Sequence, residues 1–181
     1  MSQNPGMNAP YGQQPGYPAP GTVPVAASAN VPAAALQIIG GVVAVIAAFL
    51  SWAALSANGI SITVNGMGTI SGLPAGTPTP DTGIGDGTLV IAAGVLAILG
   101  GVLLIAVKKG ALSTIGLIGG LGALALGIYE MTQVNDAISQ FEALGEGATG
   151  SVGIGIWLVI AGGAVALIGA VLGFMGGRKR V

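Results

Sequence analysis

Four stretches of about twenty residues, none with an ionisable side chain in its interior, dominate this chain of 181 residues. They run from about Ala35 to Leu55, Thr88 to Val107, Ala111 to Tyr129 and Val152 to Met175. At a rise of about 1.5 Å per residue, each is long enough to cross roughly 30 Å of hydrocarbon as a helix. Charged residues make up 6% of the chain, against about 25% in an ordinary soluble domain. So few charges cannot cover a water-exposed surface, which makes lipid the main solvent. The predicted fold class is all-α membrane: a left-handed bundle of four transmembrane helices with a small extracytoplasmic cap.

The charges are sorted by connection. All five cations lie in two places, Lys108 and Lys109 between the second and third spans, and Arg178, Lys179 and Arg180 after the fourth. All six acids lie in the other two connections: Asp81 and Asp86 within 56–87, then Glu130, Asp136, Glu142 and Glu146 within 130–151. The positive-inside rule puts the basic segments, and with them both termini, in the cytoplasm. The five cations are then inner anchors against anionic headgroups, with Arg178–Arg180 alternatively a docking site for an acidic partner. Trp52, Tyr129 and Trp157 fall at the outer ends of their spans, where interfacial aromatics belong.

Residues 1–33 carry no charge and hold seven of the ten prolines, with Gly, Gln and two tyrosines between them. Such a segment is expected to be a disordered, partly polyproline-II cytoplasmic tail, with Tyr11 and Tyr17 as partner contacts. It has neither the basic start nor the apolar core of a signal peptide. In the first outer loop Ile60, Ile62 and Val64 alternate ahead of Asn65-Gly66, which predicts a β-hairpin with a type I′ turn there. An irregular Pro/Gly-rich run follows, and Asp86 is placed to cap the second span. In the second outer loop Val134, Ala137, Ile138, Phe141 and Leu144 recur at three and four residues. That spacing continues the third helix as an amphipathic extension to about Leu144. Its apolar face, with Ile138 and Phe141, is left to meet the hairpin, the membrane surface or a partner.

Small residues recur every four positions in each span: Gly40, Ala44 and Ala48; Ala93, Ala97 and Gly101; Gly119, Ala123 and Gly127; Gly162, Ala166 and Ala170. Such stripes let helix backbones approach closely in lipid, either within one bundle or between copies. Chemistry is sparse by comparison. The chain has no His and no Cys, which removes imidazole acid–base work, thiol catalysis and disulfides. A net charge of −1 argues against nucleic acid. No acid or amine sits inside a span, as an ion-coupled carrier requires. Gln37, Ser51, Ser113 and Thr114 fall near span ends, within reach of water or headgroups. The glycine-rich DTGIGDG lacks the ligand spacing of a calcium loop, and no cofactor is expected. These features point to a non-enzymatic structural or accessory subunit of a cell-envelope membrane complex. The alternative is a homo-oligomeric pore or lipid-handling protein.

The segments AAFLSW (Ala47–Trp52), NGMGTISG and GDG (Gly85–Gly87), together with the tail YGQQPGYPAPG, resemble a group of small actinobacterial four-helix membrane proteins. That group often ends its first span in an FLPW-type sequence, where this chain has Ser51 in place of proline. The resemblance covers the tail and about residues 38–105. It implies a cell-envelope protein of a high-GC Gram-positive bacterium, in the plasma membrane where the spans place it, and no catalytic residues. The four-span plan is also similar in shape to claudin-type proteins, whose outer-loop cysteines are absent here.

Overall fold

A computed structural model describes residues 30–78, 86–143, 145 and 147–177. Tyr11, Tyr17, Asp81, Leu144, Glu146 and Arg178, Lys179 and Arg180 lie outside the described residues. Four helices form the body: α1 (Val31–Ala47), α2 (Gly87–Val107), α3 (Ser113–Glu142) and α4 (Ile154–Gly177). Three of them are long and apolar enough to cross a membrane: α2, α3 with the 3₁₀ turn that precedes it, and α4. The first has 17 residues, about 25 Å at 1.5 Å each. It starts at Val31, inside the expected disordered tail, because Pro32 fits the first turn of a helix, where no backbone donor is needed.

Neighbouring helices run antiparallel in the ring α1–α2–α3–α4, with α4 closing on α1. Asn30 Nδ2 donates to the Leu172 carbonyl at 3.0 Å, so the start of α1 and the end of α4 share one end of the bundle. The α2–α3 connection, with Lys108 and Lys109, lies at that end too. Gly40, Ala44, Ala48, Ala97, Gly101, Gly119, Ala123, Gly127, Gly162, Ala166 and Ala170 are all buried within the single chain. They set the helix spacing. A Cβ on Gly40 would fall on the Gly162 carbonyl and lie 2.5 Å from Ala166 N, and one on Gly162 would lie 2.7 Å from Gly40 O. The α1–α2 pair meets in the same way at Gly41 and Gly94.

At the other end sits an antiparallel sheet of β1 (Ser51–Ala57), β2 (Ile60–Asn65), β3 (Ile70–Ser71) and β4 (Thr149–Val152), in the order β3-β2-β1-β4. This corrects two expectations. The first helix does not run on to Leu55, since Ser51–Ala57 leaves it as a strand between β2 and β4. The hairpin turn is Asn58-Gly59, with φ of 52° and 78°, the two positive values that a type I′ turn requires. Asn65-Gly66 makes a different structure, in which Asn65 Oδ1 accepts from Met67 N at 3.0 Å and Thr69 N at 2.8 Å. That side-chain bracket holds the wider loop into β3.

The extension of α3 reaches Glu142, and Val134 and Ile138 are its buried residues there. Ile138 packs against Gly150 of β4, beside Leu55 of β1, so the amphipathic face lies on the sheet. Glu142 Oε1 accepts from Gly150 N at 3.0 Å and ties the helix end to β4. Asp86 occupies the position before α2, but its side chain makes no capping hydrogen bond.

Candidate functional site

The expected anchors divide. Tyr129 and Trp157 are half-exposed on α3 and α4, at matching heights because Gly127 abuts Val159 and Ile160. Lys108 and Lys109 are exposed at the opposite end. Trp52 is wholly buried and cannot meet headgroups. As part of β1 it turns inward, where its Nε1 donates to the Ala47 carbonyl at 2.9 Å. Gly66 and Gly155 pack against its ring so closely that a Cβ on either would collide with it. Trp52 thus joins sheet to bundle. At the sheet end of α1 the exposed aromatic is Phe49.

Ile138 is likewise core rather than contact surface, at 9% exposure. Phe141 remains half-exposed and borders an open groove of about 360 Å³ between the end of α3 and the sheet. Leu55, Ala57, Ile60, Ile62, Leu73 and Pro74 line most of the rest, with Asn58 and Thr77 as its polar members. The groove is mainly apolar and lies at the end that carries the acids.

Glu130, one of the acids of the second outer loop, is not on a wet surface. Its side chain is 3% exposed, one residue past Tyr129 and beside Asp86. The signal was present in the spacing, since Gly127, Glu130, Val134 and Ile138 form one buried stripe.

At the basic end, Gln37 and Ser113 are buried rather than wetted. Gln37 Nε2 donates to Ser113 Oγ at 3.4 Å, and Gln37 Oε1 has no conventional partner. Side chains on Gly100 or Gly116 would overlap that oxygen, so glycines of α2 and α3 make room for a polar group of α1. Thr114 Oγ1 donates to the Ala111 carbonyl at 2.7 Å.

Among the described residues, no three His, Cys, Asp or Glu side chains gather as metal ligands. Neither a protein-family model nor a curated protein matches the chain.

Proposed function

We propose that the protein is a non-enzymatic accessory subunit of a cell-envelope membrane complex, anchored by four spans with both termini cytoplasmic. In this reading the sheet and the end of α3 form an extracytoplasmic cap, and the cap receives another membrane protein. The observation that carries it is the apolar groove beside Phe141 and Ile60, on an end otherwise marked by acids. An exposed apolar recess rimmed by polar groups is a common form of protein contact surface. The Tyr- and Pro-containing tail supplies a second contact on the cytoplasmic side, since polyproline-II segments bind with little ordering cost.

The test is a photo-crosslinking amino acid at Ile60 or Phe141 in native membranes, followed by purification in mild detergent. The reading expects one protein to crosslink from both positions and to co-purify in stoichiometric amount through high salt. Crosslinks only to lipid, or only to a second copy of this chain, would overturn it. The latter would favour the homo-oligomeric alternative.

A further inference from the structure

A second groove, of about 340 Å³, opens between α3 and α4 at the end of the bundle opposite the sheet. Its walls include Ser113, Thr114 and Leu117 of α3, and Ala170, Val171 and Phe174 of α4. The two hydroxyls are already engaged within the protein, Ser113 with Gln37 and Thr114 with Ala111. An occupant therefore meets carbon along the groove's length, which selects a hydrocarbon chain. A chain alone gains little here over bulk lipid, because the bilayer interior is equally apolar. Any preference must come from the headgroup.

The mouth of the groove supplies one. Lys109 opens the 3₁₀ turn Gly110–Leu112, which leads directly into Ser113 on the groove wall. Lys108 precedes it, and both lysines are exposed. No acid lies at this end among the described residues, and the sequence adds Arg178, Lys179 and Arg180 directly after α4. We infer that the α3–α4 groove binds one acyl chain of an anionic phospholipid whose phosphate is held by Lys108 and Lys109. Each lysine near the membrane surface is worth about a five-fold preference for negative charge, or roughly thirty-fold for the pair.

This inference rests on the bundle being membrane-embedded, and not on the accessory-subunit reading. The full-length protein, extracted in mild detergent, is offered equal amounts of dioleoyl phosphatidylglycerol and phosphatidylcholine and weighed by native mass spectrometry. One phosphatidylglycerol should be retained per chain, at roughly thirty-fold preference. Val171→Trp, at a half-exposed position on the groove wall, should expel it. Met175→Trp, also on that wall, should do the same and serves where the first variant fails to fold. Lys108→Gln with Lys109→Gln should keep a lipid but lose the preference. Equal retention of the two lipids by the wild type, unchanged phosphatidylglycerol retention in the folded Trp variants, or an unchanged preference in the double Gln variant would overturn the site. A protein released from membranes by alkaline carbonate without detergent would instead overturn the embedding on which the site depends.

Discussion

Trp52→Ala should cost about 3–5 kcal/mol, the range for removing a buried large aromatic, and should detach the sheet from the bundle. The side chain is fully buried in a cluster with Ala47, Ala48, Val64 and Ile156, and Gly66 and Gly155 abut its ring. Trp52→Phe separates the packing contribution from the hydrogen bond. The Ala47 carbonyl also accepts from Leu50 N at 3.2 Å, so it is not orphaned when the indole donor is lost. The Phe variant should therefore cost only about 1 kcal/mol beyond its smaller volume. Thermal unfolding followed by circular dichroism and size-exclusion in detergent reads both. An Ala variant as stable as the wild type would show that the sheet is not held by this residue.

The second large effect lies in the middle of the bundle. Gly40→Ala places a methyl group between the backbones of α1 and α4, where the nearest atoms to a new Cβ are backbone atoms of Gly162 and Ala166. Helix propensity alone favours alanine by about 1 kcal/mol. Overpacking against atoms that cannot rotate away costs about 1–3 kcal/mol, so the substitution should destabilise on balance. Gly40→Leu should prevent the α1–α4 pair from forming. Gly122→Ala is the control, since its Cβ would meet only Ala93 Cβ at 3.4 Å. There the propensity gain should dominate, and the protein should melt no lower than the wild type. Equal behaviour of Gly40→Ala and Gly122→Ala would contradict the close approach.

These two positions also show what was legible in the sequence. Gly40 and the other small residues could be read because a four-residue period puts them on one helix face, and the folded chain buries them. Trp52 was misplaced because SWAALSA, rich in alanine and nearly unbranched, reads as helix by local propensity. Its strand form comes from pairing on both edges, with β2 and with β4, and tertiary pairing outweighs propensity differences of tenths of a kcal/mol. Missing β1 also misplaced the turn. Without a strand ahead of it, Asn58-Gly59 had nothing to reverse, and the second Asn-Gly took its role. Gly150 within β4 carried no strand signal at all. Glu130 was hidden for a different reason: a charge on a periodic stripe reads as surface until Asp86, distant in sequence, is brought beside it.

The orientation of this bundle across a membrane is tested most directly by single cysteines, because the chain has none of its own. Thr69 in the sheet end and Asp136 on the extension of α3 are exposed, as is Lys109 at the other end. Replaced one at a time by cysteine and treated with a membrane-impermeant maleimide on intact cells, the first two positions should react. Position 109 should react only after the membrane is opened. Labelling at 109 from outside, or protection of both 69 and 136 while a denatured control reacts, would contradict the account.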